Sequence, residues 1–233
     1  MKNLLLLSNT VSYKSKPLSH AFTEIQQLFS GVKDILFIPY ALADHDLYIK
    51  LIREALSESG FNIESIHESK DPQRALEEAK GIYIGGGNTF RLLNSLYDLE
   101  ILETIKGKVS SGVPYLGSSA GSVVAGPTIK TTNDMPIIFP SSFDALNLVE
   151  FNINPHYIDP DINSRHMGET RDKRIEEFHE ENDVPVIGIR EGAFLKISGS
   201  KINLLGKGGA KLFKKETDSV ELNVDSDITS LID

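Results

Sequence analysis

Cysteine is missing from all 233 residues, which removes disulfides, thiolate metal sites and cysteine nucleophiles together. Positive charge is scarce: 24 Lys and Arg stand against 33 Asp and Glu, a formal net charge of -9. Nucleic-acid and anionic-membrane surfaces need clustered cations that release counterions from phosphates, so neither partner is expected. The same acidic balance repels an anionic small molecule, which would need a local cation inside its pocket. Long apolar runs are missing too. Leu4 to Leu7 is too short for a signal-peptide core or a membrane span and reads as a buried first strand, so a cytoplasmic location is expected. Internal repeats, linkers and low-complexity tracts are absent, and a single α/β domain over 1–233 is expected.

What is present is ordinary globular material, 40% hydrophobic and 24% charged, in which short apolar runs alternate with helical patterns. That alternation predicts a mostly parallel sheet flanked by helices on both faces. Strands are expected over 3–7, 34–38, 61–66, 81–84 and 113–116. Between the first two, Leu18, Ala21, Phe22, Ile25, Leu28 and Phe29 recur at helical spacing, with Pro17 near the start and Gly31 past the end. A second helix is expected from about 44 to 59, stopping at Gly60, and a third opens at Asp71 with Pro72 in its first position. From 126 to 147 no period is visible and Pro127, Pro136 and Pro140 interrupt the chain, as in a long functional loop. A charged helix is expected over 169–181 and a buried strand over 184–189. A hairpin of 193–197 and 202–205 around Ser198-Gly199-Ser200 follows, then short antiparallel strands and a polar tail.

Gly117-Ser118-Ser119-Ala120-Gly121 matches G-x-S-x-G, with an apolar run before it and helix-compatible Ser122-Val123-Val124-Ala125 after it. A nucleophile on a strand-to-helix turn needs small neighbours, because its backbone is strained and adjacent strands approach closely. The helix N-terminus also favours developing negative charge. Ser119 is therefore the candidate nucleophile, and the Ala120 amide a candidate oxyanion donor. A small-residue turn that only packs a helix on a sheet would look the same, so the partners must decide. Gly85-Gly86-Gly87-Asn88 directly follows the strand 81–84. A dinucleotide fingerprint would need glycine where Phe90 stands, and a phosphate loop would need Gly-Lys-Ser/Thr after the glycines. The functional reading that remains is a second oxyanion donor at Gly87, against a plain glycine turn. Three successive glycines are costly in chain entropy, which favours function.

Six histidines could supply the base: His20, His45, His67, His156, His166 and His179. His20, His45 and His179 read as solvated helical residues and His67 as a strand-end residue. His156 differs, because it follows Phe151-Asn152-Ile153 and Asn154-Pro155 at a strand exit, where catalytic groups collect in α/β sheets. The acid that orients it is Glu191, just after a strand, or Asp134 or Asp144 in the irregular loop. Triads occur in several chain orders, and the strand-end position favours Glu191.

Seven motifs then stand in order: Leu4-Leu5-Leu6-Leu7-Ser8-Asn9, Gly85-Gly86-Gly87-Asn88-Thr89-Phe90, Gly117-Ser118-Ser119-Ala120-Gly121, Thr131-Thr132-Asn133-Asp134-Met135-Pro136, Phe143-Asp144-Ala145-Leu146-Asn147-Leu148, Ile153-Asn154-Pro155-His156 and Gly168-Glu169-Thr170-Arg171. Together they resemble the peptidase E family of serine peptidases, the aspartyl dipeptidases, from the first strand to about Gly192. The resemblance implies a class I glutamine amidotransferase-like fold and hydrolysis of dipeptides with an N-terminal aspartate (Asp-X). It puts nucleophile, base and acid on Ser119, His156 and Glu191, and oxyanion amides on Gly87 and Ala120. It also ties the Asp134 motif to activity. Arg171 falls on the family's anchor for the aspartate side chain, with Asn88 as a further substrate contact. By composition alone, an arginine opening so charged a helix would be an ordinary surface ion pair. One departure is Ser118, where family members often carry a bulky residue; it would widen or polarise the pocket floor. No metal or cofactor is implied, and the expected partner is a small peptide substrate. Two alternatives are a cyanophycinase-like peptidase, which would need a long open cleft, and a silent anion-binding module on the same fold. An amidotransferase would need the missing cysteine.

Overall fold

The computed structural model describes residues 1–12, 14–160 and 168–232. Each apolar run of the first half forms a strand: β1 (Asn3–Leu7), β2 (Asp34–Ile38), β3 (Asn62–Ser65), β4 (Ile82–Ile84) and β5 (Tyr115–Ser118). They pair in parallel in the order β1-β5-β4-β2-β3. Because side chains alternate across a strand, the four leucines of β1 divide between the two faces. Leu4 and Leu6 join one core cluster, and Leu5 and Leu7 the other. Burying each leucine contributes roughly 1.5–3 kcal/mol.

Helices cover both faces. On one side lie α1 (Phe22–Leu28) and α2 (His45–Ala55), which bury Ile25, Leu28, Tyr48, Ile49 and Ile52. On the other lie α3 (Pro72–Glu78), α4 (Thr89–Asp98) and α5 (Leu102–Ser110), which contribute Leu76, Leu92, Leu93, Leu96, Ile105 and Val109. Side chains at three N-caps take up orphan amides: Asp44 accepts from Leu47 N, Asp71 from Arg74 N and Asn88 from Arg91 N. The first expected helix begins instead as a 3-10 turn, Ser19–Ala21, because Leu18 adopts a left-handed conformation that stops an α-helical start. The fifth strand begins two residues later than its apolar run. Val113 N is taken by the Lys108 carbonyl and Pro114 has no N–H, so the ladder opens at Tyr115 and runs on into Gly117 and Ser118.

After the short α6 (Ala120–Val123) no helix or strand forms until β6 (Asn152–Pro155); one isolated bridge, Thr128 with Asp144, ties the intervening loop. β6 pairs in parallel with β7 (Val186–Ile189), with α7 (Arg171–Glu181) between them in sequence. These two strands do not extend the main sheet. They form a second sheet, ordered β11-β10-β7-β6, with β10 (Ala210–Phe213) and β11 (Val220–Leu222). The hairpin β8 (Ala193–Ser198) and β9 (Lys201–Gly206) lies antiparallel beside β1, and β12 (Ser226–Asp227) closes that edge. The tail ends in a helical turn, α8 (Thr229–Ile232), in place of a further strand. Among the described residues no helix is long and apolar enough to cross a membrane. The carboxyl ends of β1, β4, β5, β6 and β7 meet at one edge, where ligand sites of open α/β sheets lie.

Candidate active site

Ser119 stands between β5 and α6 with φ 51° and ψ -110°, a conformation rare for a residue with a side chain. Its own amide donates to the Leu7 carbonyl at 3.0 Å. The Ser122 hydroxyl, in the first turn of α6, donates to both Leu7 and Gly117 carbonyls. Strand, turn and helix are thus stitched to β1, and the Ser119 side chain is held out at the sheet's edge.

His156 follows β6, also with positive φ (53°), and its amide donates to the Ser8 hydroxyl at 2.9 Å. Ser8 in turn donates to the Ile189 carbonyl at the end of β7, which fixes the exits of β6 and β7 against the end of β1. Beyond that exit Gly192 N donates to Asn9 Oδ1 at 2.8 Å, anchoring the turn that carries Glu191. The side chains then line up: Ser119 Oγ lies 3.0 Å from His156 Nε2, and His156 Nδ1 lies 2.8 Å from Glu191 Oε1. This is hydrogen-bond reach at both steps, so the imidazole can take a proton from the hydroxyl while the carboxylate holds the ring.

Five consecutive amides leave β4. Gly85 N donates to the Ile38 carbonyl, Gly86 N to the Tyr48 hydroxyl, Asn88 N to the Ala41 carbonyl and Thr89 N to Asp134 Oδ2. Among the described residues only the Gly87 amide of this run has no partner, and Gly87 lines a cavity of about 480 Å³ together with Ser119, His156 and Asp134. Its φ of 136° suits glycine alone. The Ala120 amide, first in α6, is likewise without a partner among the described residues. Two donors therefore remain available beside the Ser119 hydroxyl.

The family model described as Peptidase family S51 matches residues 4–205. The chain belongs to peptidase family S51. A "Probable alpha-aspartyl dipeptidase" of Drosophila melanogaster is 50% identical over 234 residues, covering 99% of this chain and 98% of that protein. A "Peptidase E" of Streptomyces coelicolor is 47% identical over 231 residues, covering 99% and 95%. The solved structure of a peptidase from an acI-B1 Actinobacterium shares the fold, with a TM-score of 0.74 at 18% identity over 98% of this chain and 96% of that one. This fold is the class I glutamine amidotransferase-like arrangement. As an S51 member the chain is a serine peptidase, and its substrate is a peptide.

In this S51 peptidase the remaining expected residues lie as follows. Asp134 lines the cavity, and its Oδ2 accepts from both the amide and the hydroxyl of Thr89 at the start of α4. Asn88 spends its side chain within the protein: Oδ1 caps Arg91 N and Nδ2 donates to the Met135 carbonyl. Arg171, first in α7, is half-buried. Burial lowers its pKa, Arg174 lowers it further, and nearby Asp134 raises it. Among the described residues no hydrogen bond engages its guanidinium. Asp144 is not among the residues lining the cavity; its carbonyl accepts the Tyr97 hydroxyl beside the bridge to Thr128. Ser118 is fully buried, its hydroxyl bonded to Thr10 and Tyr83, so it backs the elbow without facing the cavity.

Two histidines differ from their solvated reading. His179 is buried with Ile175 one turn earlier, and its Nε2 meets the Val184 carbonyl at 3.1 Å. Both ring nitrogens of His20 are shielded and, among the described residues, have no partner. His45 and His67 stack edge to face at 5.3 Å, with His67 Nε2 3.1 Å from Asp46. His166 lies outside the described residues. Ser8, Asn9 and Tyr48 carry supporting roles that residue type and spacing did not single out; the one available signal was polar Ser8-Asn9 directly after a buried leucine run.

Proposed function

We propose that the chain is a dipeptidase that cleaves Asp-X through an aspartyl ester on Ser119, a reading carried above all by the hydrogen-bonded line Ser119–His156–Glu191. Ser119 Oγ attacks the scissile carbonyl carbon as His156 Nε2 takes its proton, and the carbonyl oxygen gains the negative charge. The Gly87 and Ala120 amides hold that oxyanion. His156 then protonates the leaving amine, the C–N bond breaks, and the aspartyl ester remains. Water, deprotonated by His156, attacks the ester, aspartate departs, and Ser119 regains a proton. Glu191 keeps Nδ1 protonated throughout, so Nε2 is the nitrogen that takes up and gives back the proton at each step. No cofactor takes part in these steps.

Arg171 receives the β-carboxylate of the substrate through paired hydrogen bonds, in accord with a half-buried guanidinium that no hydrogen bond engages among the described residues of an acidic molecule. Among the described residues Asp134 is the one carboxylate in the cavity lining, and its Oδ1 has no partner there, which leaves it to the substrate's α-ammonium. Asn88 acts indirectly, capping α4 and holding the Met135 carbonyl beside Asp134. The apolar side of the cavity, Val11, Pro17, Leu42, Leu51 and Ile52, is left for the residue after aspartate. The relatives named peptidase E and alpha-aspartyl dipeptidase support the same reading.

The test is a mass-spectrometric assay against Asp-X, Glu-X, Asn-X and β-aspartyl dipeptides, with intact-mass trapping of the acyl-enzyme. Asp-X turnover with the label on Ser119 is expected. A label on Ser118 or Ser122, or preference for another N-terminal residue, would overturn it.

A further inference from the structure

We propose that Tyr48 is a positioning residue for the oxyanion hole: by accepting the Gly86 amide, its hydroxyl holds the loop in the one arrangement that presents the Gly87 N–H to the cavity. The inference rests on the acyl-transfer reading above.

The Gly87 N–H belongs to the peptide that joins Gly86 to Gly87. The peptide before it is fixed by Gly86 N on Tyr48 Oη at 2.7 Å, and the peptide after it by Asn88 N on the Ala41 carbonyl at 2.9 Å. The donor peptide is thus suspended between two tethered neighbours. Glycines flank it on both sides, and glycine offers little steric resistance to rotation, so losing either tether frees the plane to turn its N–H away. Three of the four amides around Gly87 are held by backbone or by Asp134, whereas Gly86 depends on a side chain from α2, 38 residues away.

The surroundings of Tyr48 fit this task. The residue is only 6% exposed, and its ring packs edge to face on Phe37 at 5.0 Å. A Cβ at position 85 would lie 2.5 Å from the Tyr48 hydroxyl, so glycine there is what lets the hydroxyl reach the loop. Burial pushes the phenol up to about 12, which keeps it neutral, and the nearby hydroxyls of Thr10, Ser118 and Tyr83 temper that rise. A neutral phenol can accept from Gly86 and donate onward at once. Ser118 immediately precedes the nucleophile and bonds Thr10 at 3.0 Å and Tyr83 at 3.1 Å. These hydroxyls lie under the elbow, whereas the tether that reaches the glycine loop amides is Tyr48 Oη on Gly86 N.

Tyr48→Phe keeps the ring and deletes the tether. With the dipeptide of the panel that the wild type turns over fastest, kcat is expected to fall about 10- to 100-fold with KM within about twofold, less than the loss of a whole donor. The aldehyde analogue of the aspartyl residue, which adds Ser119 Oγ to its carbonyl carbon and places the former carbonyl oxygen in the hole, should lose affinity by the same factor as kcat/KM. Tyr83→Phe is the control. It removes a hydroxyl of the same cluster that does not touch the loop amides, so it should lower the melting temperature yet leave kcat within about twofold. The inference is overturned if Tyr48→Phe retains kcat, if its kcat and KM change together while aldehyde affinity stays, or if Tyr83→Phe loses as much turnover. Failure of the underlying reading has a separate signature, turnover that survives in Ser119→Ala.

Discussion

His156 and Glu191 meet at a rim that water reaches, with 41% and 56% of their side-chain surface exposed. Solvent screens a carboxylate in that setting, so in the proposed mechanism Glu191 works chiefly by fixing ring orientation and tautomer. Glu191→Gln is accordingly expected to lower kcat by about 10² to 10³, short of the roughly 10⁴ known for a buried triad acid, with the fold unchanged. Asp144→Asn should stay near wild type in the same steady-state assay; the opposite ranking would show that the acid had been misassigned. Arg171→Met is expected to cut kcat/KM for Asp-Leu by about 10³ to 10⁴ and to leave Ala-Leu little changed, because the β-carboxylate would be buried unpaired. An unchanged ratio between the two peptides would remove Arg171 from the specificity pocket. Ser119, His156 and Glu191 could be picked out beforehand because each ends an apolar run at a turn. Ser8 and Tyr48 could not, since a hydroxyl acquires its role only when a distant amide is brought to it, as His156 N and Gly86 N are.

Elements carry the site by close approach, and glycine marks where. A Cβ on Gly121 in α6 would lie 2.1 Å from the Ile84 carbonyl of β4, so Gly121→Ala must push the elbow helix off the sheet. A loss of about 3 kcal/mol or more is expected in denaturant unfolding, with activity falling alongside. Gly107 in α5 is the counterpart: a Cβ there meets nothing within 4 Å, and Gly107→Ala should stabilise by about 0.5–1 kcal/mol. Equal effects from the two substitutions would contradict the packing argument. At this scale the alternation of strands and helices was readable from hydrophobic period, and so was the cap at Asp71. The departure of β6 and β7 into their own sheet was not. A four-residue apolar run states that it is buried but not which neighbour it pairs with, and here β10 supplies that neighbour to β7 from farther along the chain.

Over the whole molecule, acid stability should fall in two stages with different causes. Hydrogen bonds from Arg53 hold the Glu68 carboxyl below its usual range; those from Arg190 and Lys215 do the same for Asp159 and Asp183. Their stabilisation is present above the ordinary carboxylate values near ~4 and is lost as pH drops through the lowered ones; being exposed, these pairs contribute little each. His20 responds earlier. Desolvation lowers its pKa from 6.5, more than Glu24 raises it, and neither ring nitrogen has a partner among the described residues. Below pH ~6.5 the unfolded chain therefore binds a proton that the folded chain resists, so stability declines as pH falls from there toward the lowered folded value. His45, also lowered, first by burial and then by His67, adds the same sign. His20→Phe retains a ring beside Phe194, whose centroid lies 6.3 Å away, and removes the proton site. The variant should melt about 2–4 °C above wild type at pH 5. At pH 8 the gap should narrow without closing, because two unpaired nitrogens cost desolvation even in the neutral ring. Thermal melts of both proteins from pH 8 to pH 5 decide it: a gap that does not grow on acidification would mean that His20 keeps its ordinary protonation when folded.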